Sequence, residues 1–194
     1  MTARATWFSI DIECSGPVPA LYDMISLGAV VVRRRDEDLV IGDSWYGEFV
    51  PTAPRVDPGA MAVNGLDIEH LKEHGLPLAD GLEQLNAFVA THLVAGTKAV
   101  FVGHNAPFDW SFVAHAYVAC GVTNPFGYKA LDTKALAAGV LGLHWLDGSK
   151  EVLAERLALP DVEAERVHRA DYDALYQAHI LAELLRRMPE PASR

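Results

Sequence analysis

The segment Trp7-Phe8-Ser9-Ile10-Asp11-Ile12-Glu13 sets two carboxylates in a run of apolar, strand-forming residues. Asp11 and Glu13 stand at i and i+2, the spacing that points side chains to one face of a strand. Acids side by side repel, and on a buried strand flanked by Ile10 and Ile12 they are costly unless a cation neutralises them. Two readings are open. The strand lies at an edge with an acidic solvent face, or it is buried and its acids hold a hard divalent ion that prefers oxygen ligands.

Two further segments carry chemistry. Ala99-Val100-Phe101-Val102-Gly103 is an apolar strand that breaks at Gly103, and His104-Asn105-Ala106-Pro107-Phe108-Asp109 leads into a helical pattern. Asp109 near that helix start either caps the helix and offsets its macrodipole or faces a site at a strand end. His104 and Asn105 suit loop backbone groups equally well. The last segment is His168-Arg169-Ala170-Asp171-Tyr172-Asp173-Ala174, followed at helical spacing by Leu175, Ala178, Leu181, Ala182 and Leu185. Asp173 falls about one turn into this helix and His168 at or before its first residue, so both can face one cavity. A histidine titrates near neutrality and can serve as a general base, or it can be an ordinary surface residue at a helix entrance.

The order of elements constrains the fold. Trp7–Glu13, Ile25–Arg34 and Ser44–Val50 read as three strands joined by short turns, an antiparallel meander. Helical patterns follow from about Asp67 and over Ala79–Leu93, then the strand Ala99–Gly103 and the helix Phe108–Cys120. A short strand at Ala130–Asp132 precedes helices over Thr133–Leu141 and Ser149–Leu157. Strands first and strand-helix alternation later predict an α/β fold, a mixed sheet of about five strands with helices on both faces. At 194 residues and 51% apolar, the chain suits one domain over residues 1–188, with a fraying tail at 189–194. No apolar run approaches the roughly 18 residues of a membrane span, and residues 1–6 lack a signal core, so a cytoplasmic protein is expected. Cys14 and Cys120 are expected as free thiols; Cys14 beside Glu13 is either an inert small side chain or a site where oxidation hinders activity.

Taken together, the three segments resemble the motifs of the DEDD exonuclease superfamily, in its histidine-containing DEDDh branch, RNase T-like and DnaQ-like. Asp11-x-Glu13 followed by Cys14-Ser15-Gly16 resembles the first motif, His104-Asn105-x-x-Phe108-Asp109 the second, and His168-x-Ala170-x-x-Asp173-Ala174 the third. A tyrosine branch places Tyr four residues before the last Asp, and Arg169 stands there instead. The resemblance implies a ribonuclease H-like fold and a metal-dependent 3′–5′ exonuclease of single-stranded nucleic acid, releasing nucleoside 5′-monophosphates. It implies two divalent cations, Mg2+ or Mn2+, one held by Asp11, Glu13 and Asp173, the other by Asp11 with Asp109 directly or through water. His168 is then the base. It further implies substrate contacts from Ser15, Gly16, Asn105, Phe108 and Arg169, and from the stretch Met61–Leu66, including Asn64, with Gly65 allowing close backbone approach and Leu66 wedging against the terminal base. Phe108, Trp110 and Phe112 are aromatic candidates for stacking, of which Phe108 belongs to the motif.

The formal net charge of −10 argues against a long nucleic-acid footprint. An enzyme that grips only the last few nucleotides needs few cations beyond its metals. Local basic groups remain at Arg33-Arg34-Arg35, which reads as a solvated hairpin end, and at Lys129, Lys134, Arg166 and Arg169. The second half, with Asn124-Pro125-Phe126 and Leu131-Asp132-Thr133, resembles RNA-trimming members, while the first motif also resembles DNA proofreading members. RNA or short oligonucleotides are therefore the favoured substrate, with a DNA-directed proofreading or repair exonuclease as the alternative. A homodimer that shares basic residues is a further expectation by analogy. A rival of another class is a non-catalytic domain that binds nucleic-acid ends.

Overall fold

The computed structural model describes residues 4–36, 38–163 and 165–188, so the expected tail lies outside the described residues. Its centre is a five-stranded sheet formed by β1 (Ala5–Cys14), β2 (Met24–Arg35), β3 (Asp38–Glu48), β4 (Lys98–Gly103) and β5 (Ala130–Asp132), in the order β3-β2-β1-β4-β5. β1 to β3 pair antiparallel, whereas β4 and β5 run parallel to β1. The helices are α1 (Pro58–Asn64), α2 (Ile68–His74), α3 (Leu78–His92), α4 (Pro107–Cys120), α5 (Thr133–Leu141), α6 (Lys150–Leu157) and α7 (Ala170–Arg187).

Side-chain alternation divides the sheet's two faces. Phe8, Ile10 and Ile12 of β1, with Leu27, Ala29 and Val31 of β2, are buried against α3 and α4 through Leu82, Leu85, Phe112 and Val113. The other face meets α7. There Val30 and Val32 of β2 and Val102 of β4 pack on Ala174, Ala178, Leu181 and Ala182, one stripe of a long helix. Helices therefore cover both faces, as expected. Small alanines on that stripe let α7 approach the sheet closely, and the approach is closest at Gly28. A Cβ there would lie 2.1 Å from the carbonyl oxygen of Ala170.

Two differences from the sequence reading have local causes. β3 begins at Asp38 and ends at Glu48, rather than spanning Ser44–Val50. A tight turn with Asp36 at φ 56° lets Arg35 pair with Asp38, so the ladder begins at the hairpin end and takes in the apolar Leu39, Val40 and Ile41. The arginine triplet is thus the end of a hairpin, in register with Val40, Leu39 and Asp38. The second difference is α1, which the sequence reading lacked. Asp57 caps it by accepting from the amide of Gly59, Pro58 stands in its first turn, and Gly65 at φ 68° ends it.

Candidate active site

The first carboxylates arrive from β1. Since Ile10 and Ile12 face α3 and α4, Asp11 and Glu13 must project toward α7, at the C-terminal ends of the parallel strands β1 and β4. A register shift between Glu13 and Cys14 ends the β1–β2 ladder beside them, a common device near sites. Asp173 is presented from the first turn of α7 and is 2% exposed. Asp109 comes from the first turn of α4 but leaves the cap position to Ala106, whose side chain caps nothing. Its carboxylate instead accepts from the backbone amide of Ile12 at 3.2 Å and is 5% exposed. Of the two roles open to Asp109, the structure places it toward β1.

His168 precedes α7 in the left-handed region, at φ 65°. Histidine enters that region more readily than most side chains, and here the bend is held by its amide, which donates to Asp173 Oδ2 at 2.8 Å. The bend removes the angular offset an uninterrupted helix would impose. Ligand atoms of Glu13, His168 and Asp173 all lie within 4.8 Å of one another. His104 has a different setting: its Nδ1 lies 3.0 Å from Thr133 Oγ1, and burial, with Lys150 nearby, lowers its pKa to about 4. Asn105, at φ 63°, donates its backbone N–H to Asp132 Oδ1 at 2.9 Å.

Two neighbours escaped the sequence reading. Gln177, one turn beyond Asp173 on α7, donates to Asp11 Oδ1 at 2.5 Å. Its i+4 spacing from Asp173 is a signal that was available. Lys150, the first residue of α6, places Nζ 2.5 Å from Asp173 Oδ1 and 3.8 Å from Asp11 Oδ1. Nothing in the stretch around Ser149 marks it.

The electrostatics follow from crowding acids out of water. Burial, reinforced by Asp173 and opposed by Lys150 and Gln177, raises Asp11 to about 7. Burial, with Asp11 and Asp173 adding repulsion, raises Glu13 to about 9. Asp109 is pushed well above the carboxylate range by burial and then by Asp11. Burial opposes the charge of Lys150, but Asp11 and Asp173 outweigh it and hold the ammonium above its usual range. Burial also lifts the Cys14 thiol to about 11, so it is protonated and inert near neutrality. Both cysteines are free.

These directions predict a pH dependence. Asp11 and Glu13 titrate higher in the folded protein than their ordinary 3.8 and 4.5, so the fold binds more protons than the unfolded chain between those values and about 7 and 9. Stability in a chelator should therefore fall as pH rises through that window. Saturating divalent ion should flatten the fall by stabilising the charged forms. Melting temperatures from about pH 5 to about pH 9, in EDTA and in Mn2+, test this; a flat or rising EDTA curve would contradict the raised carboxylates.

The acids, His104, Asn105, Phe108, His168 and Lys150 line a cleft of about 340 Å³, whose far wall is Gly59, Ala60, Val63 and Asn64 of α1. Among the predicted substrate contacts, Asn64, Asn105 and Phe108 face this cleft and Ser15, Gly16, Gly65, Leu66 and Arg169 do not. Ser15 and Gly16 instead shape the turn after β1: Ser15 Oγ accepts from the amide of Asp23 at 2.9 Å, and Gly16 packs under Tyr22. Asn64 joins α1 to β1 by donating to the Cys14 carbonyl at 3.2 Å, and its Oδ1 accepts from the amide of Leu66. Gly65 ends α1 in the left-handed region at φ 68°, with open space where a Cβ would stand. Val63 of α1, 56% exposed, offers an apolar side chain to the cleft. Arg169 pairs with Asp171 at 3.1 Å on the surface. Of the aromatics, Phe108 is on the cleft, while Phe112 is buried and Trp110 packs edge-on against Phe101. Lys129, Lys134 and Arg166 lie over the rings of Tyr128, Trp145 and Tyr172.

The donors fit a divalent ion: the first-motif acids, Asp109 and Asp173 are hard oxygen ligands, and burial raises the cost of ionising them, which bound cations would relieve. Among the described residues, no helix is long and apolar enough to cross a membrane.

Comparison with known proteins agrees with this geometry. A family model described as an exonuclease, of the RNase T type, matches residues 8–181. The 3′–5′ DNA exonuclease Cap18 of Escherichia coli is 34% identical over 186 residues, covering 95% of this chain and 92% of that protein. Ribonuclease T of Pectobacterium atrosepticum is 29% identical over 185 residues, covering 92% of this chain and 80% of its own. The crystal structure of the nuclease domain of 3′hExo, a DEDDh family member bound to rAMP, superposes with a TM-score of 0.76 at 13% identity, over 94% of this chain and 91% of that one. With its fold, its acidic cleft and a match over most of its length, the chain belongs to the RNase T-type exonuclease family.

Proposed function

We propose that this protein removes nucleotides one at a time from the 3′ end of single-stranded nucleic acid. The observation that carries the reading is the convergence of Asp11, Glu13, Asp109 and Asp173, from three separate elements, on one cleft with His168 at its rim. Divalent ions, Mg2+ or Mn2+, held by these four acids would acidify a water and neutralise charge on the phosphate. His168 takes the proton of that water as its oxygen attacks phosphorus. The P–O3′ bond breaks, the departing 3′ oxygen takes a proton from solvent water, a nucleoside 5′-monophosphate leaves, and His168 returns its proton to solvent. The α1 wall and Phe108 admit one terminal base: Val63 offers apolar contact, Phe108 a ring for stacking, and Asn64 ties α1 to the end of β1.

A relative at 34% identity is named a DNA exonuclease and one at 29% a ribonuclease, so the proposed substrate is a 3′ end of either sugar. Pairing of two copies, each lending basic groups to the other's strand, belongs to the same proposal, and sedimentation would test it. The deciding experiment is a time course on 5′-labelled RNA and DNA of matched sequence in Mg2+ or Mn2+. Stepwise shortening is expected, and its absence on both would overturn the reading. His168→Ala should slow shortening by about 10²–10⁴-fold while Mn2+ uptake persists; a variant as fast as wild type would remove His168 from the base role.

A further inference from the structure

The cation among the acids of the cleft is a side chain, Lys150. Lys150 stands at the first position of α6, where a positive charge opposes the helix macrodipole. Helix stability does not account for it there. Its side chain is 18% exposed and its Nζ contacts the buried Asp173 at 2.5 Å, with Asp11 at 3.8 Å. Among the residues that line the cleft it alone is a lysine or arginine, facing four carboxylates.

We propose that Lys150 is a resident counter-ion that competes with divalent metal for the space between Asp11 and Asp173. The inference rests on the metal-dependent reading proposed above. An ion bound to those oxygens sits roughly 2.0–2.6 Å from each, the distance at which the ammonium already contacts Asp173 Oδ1. The two charges cannot share that volume. A four-carbon stem rooted on a helix end can withdraw, so metal entry displaces the ammonium rather than the acids. The consequence is a site that stays assembled without metal and fills only when the ion is abundant enough to displace its tenant. Affinity is lowered in return for a cleft that does not spring open by repulsion.

The test measures Mn2+ binding by calorimetry and melting temperature in EDTA for wild type, Lys150→Met and Lys150→Gln, with Asp173→Ala as a control. Both Lys150 variants should bind Mn2+ about tenfold more tightly, melt several degrees lower in EDTA, and recover when Mn2+ saturates. A purely structural lysine would lower melting without tightening metal binding, and that result overturns the proposal. So does unchanged or weaker Mn2+ affinity in both variants, which would leave the metal-dependent reading intact. Wild type that takes up no Mn2+, indistinguishable from Asp173→Ala, would sink both.

Discussion

Asp173→Ala should abolish hydrolysis while leaving a folded protein. Three contacts meet at this one carboxylate: Oδ1 holds Lys150 at 2.5 Å, Oδ2 accepts from the His168 amide at 2.8 Å, and the group faces the cleft with Asp11 and Glu13. Loss of an inner acid removes transition-state charge stabilisation worth several kcal/mol, a rate loss on the order of 10³-fold or more. The His168 bend loses its anchor as well, so base and acid fail together and their effects should not add. Stability should change little, because two terms oppose each other. Lys150 loses a buried partner, but Asp11 and Glu13 each lose a repelling neighbour. Circular dichroism and melting beside the ladder assay would separate the cases; a folded Asp173→Ala that still shortens substrate would overturn the site assignment.

Gly28→Ala should damage the enzyme from beneath the site. Gly28 pairs with Asp11 across the sheet, directly under the start of α7. An added methyl would stand 2.1 Å from the Ala170 oxygen, 2.4 Å from its carbon and 2.7 Å from the Asp171 nitrogen. These are backbone atoms and cannot rotate away. The helix start must move, carrying Asp173 and His168 from Asp11 and Glu13. A displacement of about 1 Å costs roughly a hundredfold in rate, and overpacking costs about 1–3 kcal/mol of stability, several degrees of melting temperature in a domain this size. Gly139→Ala, in α5 with nothing within 4 Å of the new Cβ, is the control. It should gain about 0.5–1 kcal/mol and keep full activity. Equal behaviour of the two variants would show that close approach at Gly28 does not position α7.

How much could be read in advance depended on whether the information was local. The face of Asp11 and Glu13, the break after Gly103 and the apolar stripe of α7 were legible, because strand and helix periodicities fix direction within an element. Asp109 was legible as a position but not as a role, since capping and site geometry share the first helical turn. Val63 on the cleft becomes legible only once α1 is, and the Asp57-Pro58 start and Gly65 stop are the signals for that helix.

The sequence by itself determined most of the elements, the identity of the acids and the histidine, and the family they point to. Only the tertiary structure decided which groups meet: Lys150 between Asp11 and Asp173, Gln177 on Asp11, and His168 turned back by Asp173. The physical reason is that periodicity encodes where a side chain points relative to its own backbone. Convergence is set instead by parallel pairing of β1 with β4 and by a helix brought against Gly28, contacts between residues far apart in the chain.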